Sequence, residues 1–321
     1  HATITGSAQP IVGMHQGWWI DGVSGVSIRG FRFRGQTTGP VVYASGRCPG
    51  TRLEDLDVAA AVGHIDAIAV ENQAPSPGSP ACVVEHCHVR SGRFGLRAGL
   101  FSPTGHEAPC GRTVFRLNRV ESCVKGIALA GPLVDVHVVG NVLLGGGEMA
   151  ALEVGTSGPA TRDLLIANNT VFEAQYGFRI WDDDVHGERV ELRNNLFLGF
   201  AKGGDAYFVD SGGSETAPRG PGEGRRVVHR WRVGRNAREV RSVEGSPFVV
   251  RGAIPPASSD WAQPEIPVLS RDRASPDFLR PAPDSPLAKD GVGAEGLPTW
   301  VGATPPAGPS PWAWERAWRE R

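Results

Sequence analysis

An all-β solenoid of stacked parallel coils is the fold this sequence predicts, and three observations predict it. An apolar frame with two spacers before an Asn and one after it recurs: Phe115 to Val120 around Asn118, Val138 to Leu143 around Asn141, Leu164 to Phe172 around Asn169, and Leu192 to Phe197 around Asn195. Ile28 to Phe33, Leu53 to Val58 and Val84 to Val89 keep the frame with Phe31, Leu56 and Cys87 in place of Asn, and a weaker last copy puts Asn236 after Val233. The marked positions are separated by 25, 31, 31, 23, 28, 26 and 41 residues. Helical repeats hold a nearly constant length, whereas stacked β-coils keep strand register and leave the variation to loops, so the irregular period selects strands. Roughly ten residues after each marked position lies a second short apolar segment, such as Gly95-Leu96-Arg97, Gly126-Ile127-Ala128-Leu129, Leu152-Glu153-Val154 and Gly177-Phe178-Arg179-Ile180. These alternate as a half-buried strand must.

Each coil therefore reads strand, Asn turn, strand, loop, strand, and coils stacked about 4.8 Å apart close a tube. The turn Asn tolerates left-handed dihedrals. Its amide is expected to bond the next rung's backbone, satisfying groups that the tube would otherwise bury unpaired. In chain order, His1 to Gly6 already reads as an internal strand, followed by Ile11-Val12 and Trp18-Trp19-Ile20. That leaves no room for a cap, and the expectation is that earlier coils or another domain precede His1. Residues 72–81 and 101–112 read as loops thrown out between coils, and Gly212 to Arg226 as a Gly, Pro and Arg-rich excursion. The pattern ends after Phe248. The chain divides into a stack of coils over 1–245 and a Pro/Trp-rich segment over 246–321 that packs on the tube or caps it, with Trp314 and Trp318 on one helical face.

Composition narrows the function classes. With 321 residues, 43 Gly, 26 Pro and 7% aromatics the chain is long enough for a large core yet has no sustained helical period. A formal charge of -1 offers no basic footprint for nucleic acid. No run of about 18 apolar residues is present to span a membrane as a helix. Five cysteines cannot all pair within one chain. Cys48, Cys82 and Cys110 precede the first strand of successive coils, which brings a neighbouring pair toward disulfide reach. Cys87 and Cys123 read as buried thiols inside the coils.

The Asn ladder and the following Gly-apolar-x-apolar strand resemble the right-handed parallel β-helix of the pectate lyase-like superfamily, over roughly residues 1–245. Ser275 to Pro281, Asp284 to Ala288 and Trp300 to Ala303 are similar to the closing segment of many secreted bacterial β-helix proteins. The resemblance implies a secreted, periplasmic or cell-surface protein that acts on or binds a polysaccharide along the outer face of the strand after the Asn turn. On that strand Leu96, Ile127, Leu152 and Phe178 point inward by alternation, and Arg97, Ala128, Glu153, Arg179 and Phe208 outward, with Lys125 just before its strand.

A lyase acting on a uronic acid polysaccharide needs a cation to neutralise the carboxylate, a base for the C5 proton and an acid for the leaving oxygen. Lys125, Arg179, Arg97, Glu153 and His186 are the candidates for those roles. Trp181, Tyr207 and Asp210 are candidate substrate contacts, and Asp182, Asp183 and Asp184 form an oxygen-rich turn suited to calcium. Neither Gly-His-Gly nor Arg-x-Lys, signatures of polygalacturonase-like sites, is present. Hydrolysis by two carboxylates, Glu153 with Asp182 or Asp205 with Asp210, is one alternative. A non-catalytic glycan-binding or surface module and a structural solenoid segment of a larger chain are the others, the last with end-to-end self-association through its open first coil.

Overall fold

A chain that brings three short strands around each turn of a tube produces three sheets, each pairing coil n only with coils n−1 and n+1. The computed structural model describes residues 17–36, 39–60, 65–73, 78–100, 108–145, 150–155, 161–181, 187–199, 205–210, 231–239, 261–291 and 297–308. Sheet A contains β1 (Trp18–Asp21), β4 (Val42–Gly46), β7 (Ile68–Asn72), β10 (Phe94–Gly99), β13 (Lys125–Ala130), β16 (Ala150–Gly155), β19 (Tyr176–Trp181) and β22 (Asp205–Asp210). Sheet B contains β2 (Ser27–Arg29), β5 (Arg52–Glu54), β8 (Cys82–Glu85), β11 (Cys110–Arg116), β14 (Leu133–Val139), β17 (Thr161–Ala167), β20 (Gly187–Arg193) and β23 (Trp231–Gly234). Sheet C runs through β3 (Arg32–Gln36), β6 (Asp57–Ala60), β9 (His88–Arg90), β12 (Arg119–Glu121), β15 (Val142–Leu144), β18 (Thr170–Phe172), β21 (Leu196–Leu198), β24 (Ala237–Glu239) and β25 (Trp261–Gln263). Every pairing between these strands is parallel and joins each strand to the third one before and after it, so the fold is a parallel β-helix.

The core is a set of stacked columns. Leu96, Ile127, Leu152 and Phe178 are in direct register on sheet A and fully buried, as the alternation predicts. Phe115 and Val138 belong to sheet B, and Val120, Leu143, Val171 and Phe197 come from sheet C to fill the same interior. Three strands begin earlier than the sequence suggested: Lys125 is the first residue of β13, Cys82 opens β8, and Cys110, read as part of the 101–112 loop, opens β11. Gly95 and Gly126 are glycines because coils crowd there. A Cβ on Gly126 would lie 2.5 Å from the Ala151 carbonyl oxygen, and one on Gly95 would lie 2.3 Å from Val120 Cγ1.

The Asn ladder sits at the corner between sheets B and C. Asn118, Asn141, Asn169 and Asn195 each donate their backbone N–H to the Oδ1 of the next ladder residue at 3.0 Å, the last reaching Asn236. Each amide also donates back to a sheet B carbonyl, as Asn141 does to Phe115 at 2.9 Å and Asn169 to Val138 at 2.9 Å. One expectation is corrected here. The left-handed residue of the turn is the one before the ladder position: Asp55, His86, Leu117, Asn168, Asn194 and Arg235 have φ between 53 and 58°. The ladder Asn is there for its amide and not for its dihedral tolerance, which explains how Leu56 and Cys87 can occupy the same rung. The Cys87 thiol takes over part of the amide's work, donating to the Leu53 carbonyl at 3.5 Å while its N–H bonds Asn118 Oδ1 at 3.0 Å.

All five cysteines are buried free thiols. Cys48 and Cys82 approach closely enough to share a hydrogen bond, but no disulfide links them. Beyond β24 the described part of the C-terminal segment adds β25 to the end of sheet C and then lies on that sheet's outer face. Ile266, Leu279, Leu287, Val301 and Ala303 form a second core with Val142, Leu144, Phe172, Leu196 and Leu198. Asn168 Nδ2 donates to the Trp300 carbonyl at 2.6 Å, and Phe278 meets Phe172 edge to face at 5.7 Å. The first six residues, the excursion from Gly212 to Arg226 and the terminal Trp314 and Trp318 lie outside the described residues.

Candidate functional site

The outer face of sheet A carries a continuous register column: Trp19, Tyr43, Ala69, Arg97, Ala128, Glu153 and Arg179, and the backbone of Phe208 is next in register. From Trp19 to Arg179 the column crosses six coil steps, about 29 Å at the usual strand spacing. Its charged residues fall into two clusters separated by Ala128.

In the first cluster three consecutive coils converge. Lys125 Nζ lies 2.5 Å from Glu153 Oε1, and Arg179 Nη1 lies 3.3 Å from Glu153 Oε2. The Glu153 side chain is 0% exposed, those of Lys125 and Arg179 6% and 12%. Two cations around one carboxylate leave the group a net positive charge. Lys125 Nζ also stands 5.2 Å from the centroid of the Phe94 ring, which Arg93 covers at 4.9 Å. Burial, the largest influence, lowers the Lys125 ammonium's pKa; Glu153 opposes this and Arg179 and Arg93 add to it, so the net shift is downward. A lysine of lowered proton affinity is more readily available as the neutral amine that takes up a proton, while the guanidinium held beside it stays charged and can neutralise an anion.

The second cluster is centred on Arg97. Its Nε lies 2.6 Å from Asp66 Oδ2 and its Nη1 2.7 Å from Glu71 Oε1. Tyr43 donates its hydroxyl to the other Glu71 oxygen at 2.5 Å. Burial disfavours the charged guanidinium, but Asp66 and Glu71 outweigh it and raise the Arg97 pKa; burial, followed by the Glu71 hydrogen bond, raises that of the Tyr43 phenol. Arg97 therefore belongs to a closed ion network one coil earlier than the Lys125 group, instead of joining it. Asp66, isolated in sequence, acquires its partner only through the 31-residue separation of the two coils.

Next to this network the face becomes aromatic. Trp19 is 56% exposed and stacks on Tyr43, with centroids 5.9 Å apart and planes at 22°. Trp19 Nε1 donates to Ser45 Oγ at 2.7 Å, and Ser45 in turn donates to Asp21 Oδ1 at 2.8 Å. The sequence placed Trp19 on a strand, and Tyr43, Ser45, Asp21, Glu71 and Phe94 were not among its candidate site residues. Outward parity on the sheet A strands was the available signal for Tyr43, Ser45, Asp21 and Glu71; Phe94 has the inward parity of Leu96 and offered no such signal.

The remaining candidates stand differently. The backbone of Trp181 is in register with Asp210 at the end of sheet A, and that of Tyr207 with Phe178. Asp182, Asp183, Asp184 and His186, the expected calcium turn and acid, lie outside the described residues. Comparison with protein-family models, curated proteins and solved structures finds no match.

Proposed function

We propose that this chain binds an anionic, uronic acid-containing polysaccharide along the outer face of sheet A and cleaves it by elimination at Lys125. The convergence of Lys125, Glu153 and Arg179 from three successive coils, with the lysine's proton affinity lowered, carries this reading. Arg179 would neutralise the uronate carboxylate. Neutral Lys125 would accept the C5 proton as the C4–O bond breaks and the double bond forms, and the departing oxygen would take a proton from an acid or from water. Glu153 would hold both cations in place. The resemblance to the pectate lyase-like superfamily supports the same face as the substrate strip and a secreted, periplasmic or cell-surface location. Calcium at Asp182, Asp183 and Asp184 stays part of the proposal as an aid to carboxylate binding, and no step is routed through it.

A second reading rests on a separate observation. The exposed Trp19 stacked on Tyr43 is a ready platform for a sugar ring, and a non-catalytic binding module needs nothing more. The test is a calcium-supplemented screen of the purified chain on pectin, alginate and glycosaminoglycans, following ultraviolet absorbance of unsaturated product and reducing ends in parallel. We expect absorbance growth that Lys125→Ala and Arg179→Ala abolish. Reducing ends without absorbance would transfer the chemistry to a carboxylate pair. Binding without either product, lost in Trp19→Ala, would establish the binding module.

A further inference from the structure

The corner opposite sheet A, where the Asn ladder turns sheet B into sheet C, holds a second group of ligating side chains that the proposed polysaccharide strip does not involve. Glu54 ends β5, Asp55 follows it in the turn, and His86 occupies the equivalent turn position one coil on. One carboxylate oxygen from each acid and a ring nitrogen of His86 all lie within 4.8 Å of one another. We propose that these three residues bind a divalent transition-metal ion and thereby staple the second coil to the third.

The backbone brings the two turns that carry these side chains together. Asp55 and His86 share the left-handed turn conformation, with φ of 53 and 54°, and the Asp55 N–H bonds the Glu85 carbonyl at 3.2 Å, which holds the two turns one above the other. At the equivalent turn positions further along the tube stand Leu117, Gly140, Asn168, Asn194 and Arg235, so among the described residues only this step of the column sets an acid against an imidazole. Ligand atoms around a tetrahedral zinc at about 2.1 Å sit about 3.4 Å apart, and small side-chain rotations close that gap from the present separations. An imidazole beside two carboxylates favours zinc, cobalt or nickel over calcium or magnesium, and leaves one position for water.

A second observation shows that the place attracts a cation. Arg29 lays its guanidinium against Asp55 at 2.9 Å and Glu54 at 3.8 Å. Its side chain is 66% exposed, so it can swing away when an ion enters. The neighbouring Glu85, in register with Glu54, does not compete for the ion, because Arg52 and Arg116 already engage both of its oxygens.

Titration calorimetry of the full chain with Zn²⁺ alone, together with the visible spectrum of added Co²⁺, tests the proposal. We expect one saturable site per chain, a rise in melting temperature on zinc addition and a cobalt band of four-coordinate intensity. His86→Asn and Asp55→Asn keep a residue that accepts the left-handed turn, so both variants should fold with an unchanged metal-free melting temperature while weakening zinc by at least about tenfold. Arg29→Ala should tighten it by removing the resident cation. Zinc binding that His86→Asn leaves unchanged, or that Arg29→Ala weakens, overturns the assignment.

Discussion

Individual charges in this protein are governed by which coil supplies their counter-charge. Glu153 is tolerable in the wall of the tube only because Lys125 and Arg179 reach it from both neighbouring coils; a buried charge deprived of its partner costs about 3–5 kcal/mol. Glu121 follows the same rule on sheet C. Burial pushes its carboxyl up, but the His88 hydrogen bond at 2.5 Å and the charge of Arg119 more than offset this and hold it down at about 2. A carboxyl depressed in the folded state contributes stability that is complete above its ordinary value of 4.5 and is lost as pH falls toward 2. Urea unfolding of the wild type should therefore weaken steadily across that window. In His88→Gln, which keeps a hydrogen-bonding amide but no positive charge, the same titration should show a shallower acid dependence.

At the scale of the element, the ladder turns a corner of the tube into a bonded column. Asn169 accepts from the Asn141 backbone at 3.0 Å and side chain at 2.9 Å, and donates to the Val138 carbonyl and to Asn195 at 2.9 Å each. Asn169→Ala leaves at least one backbone donor and one carbonyl buried without partners, at about 1–3 kcal/mol apiece. Its urea midpoint should fall by the equivalent of about 2–5 kcal/mol. Cys87→Asn supplies the contrast. The added amide can donate to Leu53 in place of the thiol, whose weaker bond spans 3.5 Å, and this variant should match or exceed the wild type in the same measurement.

The molecule as a whole is a rod with one covered flank. Val142, Leu144, Phe172, Leu196 and Leu198 face outward from sheet C and would form an exposed apolar stripe without the C-terminal segment, which buries them against Leu279, Leu287 and Val301. In a solenoid each coil contacts only its neighbours, so this flank can loosen without unwinding the tube. Leu287→Ala, at a local cost of about 2–5 kcal/mol, should make the segment over 261–308 sensitive to limited proteolysis while the β-sheet circular dichroism signal is retained. Loss of both together would mean that the segment and the tube unfold as one unit.

The amino-acid sequence by itself determined the position of the rungs up to Asn236, though not the further strand at Trp261–Gln263, together with the alternation that sends Leu96, Ile127, Leu152 and Phe178 inward and the places where Asn recurs, because these depend on contacts within a few residues and on a period-two strand. It also placed Arg97, Glu153 and Arg179 on one outward face. Only the tertiary structure decided which of those charges meet. Partners sit a whole coil apart, 26 residues for Arg97 and Glu71, 31 for Arg97 and Asp66, 28 for Lys125 and Glu153, and the separation changes with every intervening loop. The same reason hid the Tyr43–Glu71 bond, the ladder role of the Cys87 thiol and the meeting of Asp55 with His86: spacing along the chain carries no fixed register once loops of unequal length lie between the strands, and stacking at a constant rise restores it.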